Sequence, residues 1–154
     1  MFLSDQYNDA ITIYSLFENT DTEERRMHRK VIRNAFWRPS TQGIDHRHGT
    51  PVDAGVELNI PFTMDYIPQR IWQDREPLNG EWTVLVGADQ EPSRILQGEI
   101  NYEFMPASNE DFYSLYLKPF NEYYQGKIFL ARKVDEYLFG PQSMWRITVT
   151  MHGN

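Results

Sequence analysis

Apolar and polar side chains alternate over most of this chain, and the alternation predicts strands. From Ala10 to Glu18, Ile11, Ile13 and Phe17 lie opposite Thr12, Tyr14 and Leu16, so this strand is expected to be buried on both sides. Asn19-Thr-Asp-Thr-Glu23 follows as a turn, because Asn and Asp side chains satisfy nearby backbone groups. From Arg25 to Arg38 the apolar positions Val31, Ala35 and Trp37 interleave with Ile32 and Phe36. A helix over Glu23–Arg33 competes, but the β-branched pair and the Phe36-Trp37 end favour the long second strand of a hairpin. Val56, Leu58, Ile60 and Phe62 alternate with polar neighbours, and Pro61, which has no ladder donor, places that strand at an edge or ends it. Trp82, Val84 and Val86 predict a short strand. Arg94–Phe104 predicts a central one in which Ile100, Tyr102 and Phe104 face the core and Glu99, Asn101 and Glu103 face away. A last hairpin is expected from Lys127–Tyr137 and Ser143–Met151, the latter with Trp145, Ile147, Val149 and Met151 on one side.

One helix interrupts the strands. Ser108 is placed as its N-cap with Asp111 three residues on, Phe112, Leu115, Tyr116, Phe120 and Tyr123 mark its apolar face, and Pro119 stops it near Lys118. Between Tyr66 and Gly80, two prolines and the Asn79-Gly80 pair predict an irregular excursion anchored by Ile71 and Trp72. Pro39–Gly55 is a loop longer than the roughly 12–15 residues at which structureless connections become uncommon, and such loops often carry function. The whole is expected to be mainly β: a small antiparallel β-barrel or sandwich of about six to seven strands in one domain, 1–154. It has an N-terminal arm (1–9), the long loop (39–55) and an inserted α-helix (108–118).

Composition narrows the classes. With no cysteine, thiolate metal sites and cysteine nucleophiles are out, and nothing is readable about redox compartment. No basic, then apolar, leader opens the sequence, and no run reaches the ~20 apolar residues of a membrane span, so no membrane partner is expected. A net charge of −7 argues against a surface that grips nucleic acid all round. The charge is uneven, however. Arg25, Arg26, Arg29, Lys30, Arg33, Arg38 and Arg47 crowd one stretch, while Glu99, Glu103, Glu110 and Asp111 lie later. In a monomer the stretch reads as a solvated basic face, whereas a ring of copies would carry a basic and an acidic band.

Catalytic signatures are absent. The chain holds no phosphate-binding Gly-rich loop, no His-Glu-x-x-His and no nucleophile elbow. Glu99 and Glu103 fall ~13 Å apart on an extended strand, too far for a paired-carboxylate site. His46 and His48 flank an arginine with no fixed third ligand, so no metal and no cofactor is expected, and no catalytic residue is assigned. A monomeric ligand-binding domain or enzyme with a cleft under the Tyr66–Gly80 excursion, and DNA binding by the Arg25–Arg47 region, remain as rival readings.

The order of the pieces carries a resemblance. Asp9-Ala-Ile-Thr-Ile-Tyr14, a basic strand ending in Ala35-Phe-Trp37, the long loop, Val56–Phe62, Gly98-Glu-Ile-Asn-Tyr-Glu-Phe104, and Phe139-Gly140-Pro141 before Trp145-Arg-Ile-Thr-Val149 occur in sequence over about residues 9 to 151. This resembles the neck proteins of tailed bacteriophages, the head-closure or stopper type of head–tail connector. The resemblance implies a small β-barrel, made in the host bacterial cytoplasm and built into the virion. There it would form a homo-oligomeric ring between the portal or adaptor protein and the tail terminator or tail tube protein, with no enzymatic step. It further implies that the long loop lines or closes the channel, where His46, Arg47 and His48 would touch packaged DNA without sequence preference. Phe2, Tyr7, Arg25, Arg26, Arg29, Phe139, Gly140 and Pro141 are the expected subunit or partner contacts. The helix and the Tyr66–Gly80 excursion depart from the pattern, so an adaptor or tail terminator is the alternative.

Overall fold

The computed structural model describes residues 9–39, 44–45, 50–51, 55–87, 90–137 and 143–152. Its longer strands are β1 (Asp9–Asn19), β2 (Glu24–Pro39), β5 (Gly55–Pro61), β6 (Arg94–Gln97), β8 (Phe129–Tyr137) and β9 (Met144–Met151). They pair antiparallel in the order β1-β6-β8-β9-β5-β2, and β1 also pairs with β2, which closes a six-stranded barrel. The two-residue β7 (Ala107–Ser108) adds to the start of β2, and β3 (Ile44–Asp45) pairs with β4 (Thr50–Pro51) in a separate two-stranded sheet.

Side-chain alternation fills two cores. Ile11, Ile13, Ile32, Val56, Leu58, Ile60, Ile95, Ile147 and Val149 meet inside the barrel with Trp82, Val84 and Trp145. On the outer wall, Tyr14, Met27, Leu96 and Ile128 pack under Phe104, Phe112, Leu117 and Phe120. β1 and β6 therefore contribute to both cores, the two-sided burial that the interleaved apolar residues of β1 predict. The outer core is largely aromatic. Tyr14 meets Phe104 and Phe120 edge-on at 5.5 and 5.1 Å, and each such pair adds about 0.5–1.5 kcal/mol to the burial of its area.

Several expectations are corrected. The ladder of the Arg94–Phe104 segment ends at Gln97, because Gly98 turns the backbone at φ 91°. Beyond it the facing is as expected, with Phe104 buried and Glu99, Asn101 and Glu103 exposed. Side chains take the place of a partner strand: Thr12 Oγ1 donates to Gly98 O and accepts from Ile100 N, and Tyr14 Oη donates to Tyr102 O. The Trp82–Val86 stretch is likewise not a ladder strand. Trp82, Thr83, Val84 and Leu85 are all buried, as a plug rather than a half-exposed strand, and one parallel bridge joins Trp82 to Tyr66. Within the excursion a single turn, α1 (Gln69–Trp72), is anchored by Trp72 alone, since Ile71 is 38% exposed.

The inserted helix, α2 (109–123), runs through Pro119 to its end at Tyr123. Ser108 caps it as expected, accepting from Asp111 N. Its middle, Tyr113–Leu117, is π-helical. A spacing of five from Phe112 to Leu117 brings both onto the barrel only if the helix gains a residue there. The same wide turn precedes the proline, which cannot donate to the turn before it. The added residue shifts the phase, so Leu115 and Tyr123 face solvent instead of the core. Pro61 ends β5 rather than marking an edge, because β5 lies between β2 and β9.

Candidate functional site

The pairings give the barrel two different rims. Asp9, the end of β2, the start of β5 and the end of β9 lie at one, since Asp9 is opposite Ala35, Pro39 opposite Val56 and Gly55 opposite Thr150. The β1–β2 turn, the end of β5 and the β8–β9 connection lie at the other. At the first rim the chain leaves β2 at Pro39 and returns at Gly55, next to Val56, which pairs with Pro39. The loop thus begins and ends at one point of the rim and carries its own paired strands, β3 and β4. His46, Arg47 and His48 fall in the four-residue connection between β3 and β4 and lie outside the described residues. So do Phe2 and Tyr7 of the arm and Phe139, Gly140 and Pro141 of the β8–β9 connection.

The opposite rim is stoppered by the excursion. Lys30 Nζ donates to Asp65 Oδ2 (2.8 Å) and Gly80 O (3.1 Å), and Trp82 Nε1 donates to Asp65 Oδ1 (3.1 Å). Burial pushes the Asp65 carboxyl upward, but these hydrogen bonds outweigh it and hold the group below its usual range. Ser15 Oγ donates to Thr83 O (2.8 Å), so Ser93 Oγ, 2.6 Å away, donates to Ser15 while accepting from Leu85 N. His28 sits edge-on to Phe17 and Trp72, and burial, with Arg26 nearby, lowers its pKa to about 4. The space between Ile13, Ser15, His28, Trp72 and Trp82 leaves no room for a water molecule. The barrel interior is packing, not a container.

The basic stretch is β2, and the acidic residues it seemed to oppose come to it. Arg29 pairs with Glu103 at 3.2 Å, Arg33 with Glu99 at 2.8 Å, and Arg25 with Glu18 at 3.6 Å. The expected segregation into basic and acidic faces is thus undone within one chain. Arg29 is held further by its Nε, which donates to Ile100 O. Arg26 is exposed and has no ion pair among the described residues. Glu99, Glu103 and Asp111 are all exposed, and Glu103 stands at the margin of an open groove. Among the described residues no three His, Asp or Glu side chains come together as a metal site.

What sequence reasoning missed is the outer edge of β2. β1 covers one edge along most of its length. On the other edge β7 reaches only Glu24 and Arg25, and β5 begins at Phe36. From Arg26 to Ala35 that edge makes no backbone hydrogen bond to any described residue. A groove of about 300 Å³ follows its first half, between Arg26–Lys30 and Pro77–Glu81, with Glu103 at the margin. Five consecutive residues line it. Side chains alternate between faces, so such a groove runs along a strand's edge and not over one face. This is the cleft expected under the excursion, and its acids are engaged: Arg75 and the Leu78 N–H hold the Glu81 pKa down to about 2. The one sequence sign of the edge is the length of β2, sixteen residues against seven in β5.

A protein family described only as a family of unknown function, DUF6751, matches residues 6–150. No curated protein and no solved structure matches the chain.

Proposed function

The chain belongs to the DUF6751 family, and from that premise we propose that it is a structural subunit of a bacteriophage neck: a head-closure or stopper protein that forms a ring between the portal or adaptor and the tail, with no catalytic step. The observation that carries this reading is the rim loop. Because Pro39 and Val56 are paired neighbours, everything between them is an appendage of one rim, and β3 and β4 give it an extended form of its own. In the ring we propose, such an appendage would be the part of the subunit that reaches a central channel. There Arg47, with His46 and His48, would contact DNA phosphates irrespective of sequence.

The rest of the barrel fits a structural role. Its interior is filled, most of its described acidic residues are exposed or ion-paired, and the shifts of His28 and Glu81 are accounted for by packing and by one arginine. A ring of copies multiplies weak contacts by symmetry, so each contact can be small. The test is the mass of the purified protein, measured alone and with portal complexes. A ring in either condition is expected; a monomer that joins neither itself nor the portal refutes the reading. Electron microscopy of the portal-bound ring distinguishes a stopper from an adaptor or a tail terminator by its order in the stack.

A further inference from the structure

We propose that the free edge of β2 is a strand-addition site, filled by the N-terminal arm, residues 1–8, of a neighbouring copy of this chain. Each subunit then donates one strand and accepts one. The inference rests on the ring reading for the identity of the partner, and on the geometry of β2 for the site.

Four observations carry it. The outer edge from Arg26 to Ala35 makes no backbone hydrogen bond to any described residue, and ten residues of strand run about 33 Å. Eight extended residues reach at most about 29 Å, so the arm fits within it. The edge also already receives a strand, since β7 pairs antiparallel with Glu24 and Arg25, and an incoming segment would continue that line. In composition the arm, Met-Phe-Leu-Ser-Asp-Gln-Tyr-Asn, has neither proline nor glycine, so its residues can pair along a ladder. Its one acidic side chain, Asp5, is opposite in sign to Arg26, the exposed arginine of the groove that has no ion pair among the described residues. Finally, the arm joins the barrel at Asp9, opposite Ala35 on the edge of β2 that β1 occupies, so a strand on the other edge is the contribution we assign to a neighbouring copy. Such a contact joins two different surfaces, and repeated by rotation it closes a ring.

Charged side chains also guard strand edges against pairing, and Lys30 and Arg33 would do so if the edge stays empty. The experiment separates the two. Because the chain has no cysteine, introduced pairs are unambiguous. Ser4→Cys is combined in turn with Arg26→Cys, Arg33→Cys and Asn34→Cys, all exposed positions on β2, and each protein is oxidised alone and with portal complexes. At least one pair is expected to give a ladder of covalent multimers that the single variants lack, and deletion of residues 1–8 is expected to abolish the ring while the circular dichroism melt is retained. Rings that form without any such cross-link, with cross-links only inside one chain, or after loss of the arm overturn strand addition and leave the ring standing. No ring in either condition overturns both.

Discussion

His28 provides the sharpest test of how the excursion stoppers the barrel. Its ring lies edge-on between Phe17 at 6.1 Å and Trp72 at 5.3 Å, and Trp72 is fixed in turn by its Nε1–H bond to Leu16 O. Burial holds the imidazole neutral, with a pKa of about 4 against an ordinary 6.5. Between these values the unfolded chain binds more protons than the folded one. Stability is therefore fully present above the unfolded value and falls as pH drops through the window toward the folded value. At about 1.36 kcal/mol per unit the ceiling is ~3 kcal/mol, and at pH ~5 the linkage relation gives ~2 kcal/mol. Because His28 is only partly buried, screening trims this to about 1–2 kcal/mol. Glu81, with a pKa near 2, stays charged throughout and does not contribute. Urea unfolding followed by tryptophan fluorescence at pH ~7 and pH ~5 reads the effect. The native protein is expected to lose about 1–2 kcal/mol more than His28→Phe over that interval. Parallel losses in the two proteins refute the argument, whatever their absolute stabilities.

Three further outcomes follow from the packing. Ser93→Ala removes the oxygen that accepts from Leu85 N and bonds to Ser15, and in urea titrations it should cost about 1–3 kcal/mol because both partners remain buried. Arg94, 3% exposed, is paired with Glu91 at 2.7 Å and bonded to Asn121; Arg94→Met should cost less in thermal unfolding than Arg94→Ala, because Glu91 is partly exposed and can rehydrate while Met keeps the packing of the stem. A larger loss for Met would show that the charge, not the stem, holds β6. Gly98→Ala meets no atom within 4 Å but must adopt φ 91°, so a backbone cost of about 1–3 kcal/mol is expected in the same assay, and no loss would exclude strain there.

How much of the fold could be read from the chain depended on what each residue answers to. β1, β2, β5 and β9 were legible because their side chains alternate about a ladder that exists. Asn19 was legible because its Oδ1 accepts the N–H groups of Asp21 and Thr22, a purely local bond. The stretches Ile100–Phe104 and Trp82–Leu85 also read as strands, and there the reading failed in kind. Backbone outside a ladder needs only that its polar groups be satisfied, and here Thr12, Tyr14, Ser15 and Ser93 satisfy several of them from across the molecule. Nothing local marks such a partner. The π turn was not legible, since Phe112, Leu115 and Tyr116 fit an ordinary α-helical face and Pro119 suggests a stop instead of a widened turn.

The site was harder to read, for a related reason. A run of charge reads as a face, yet the cations of β2 meet Glu18, Asp65, Glu99 and Glu103 across sheet and loop, and sequence distance conceals those encounters. Closure of the barrel then decides where contacts can be made. Six strands joined in a cycle leave little backbone unpaired, and the excursion and α2 cover much of what side chains expose. On the outer edge of β2 the stretch with no backbone hydrogen bond to a described residue is Arg26–Ala35, which contains Arg26 and Arg29, two of the expected contact residues. The rims differ too: one carries Asp9 and the 39–55 loop, the other the excursion and the 138–142 connection. Under the ring reading we propose, two unlike rims would meet different neighbours above and below while the outer edge of β2 met a copy of the same chain at the side.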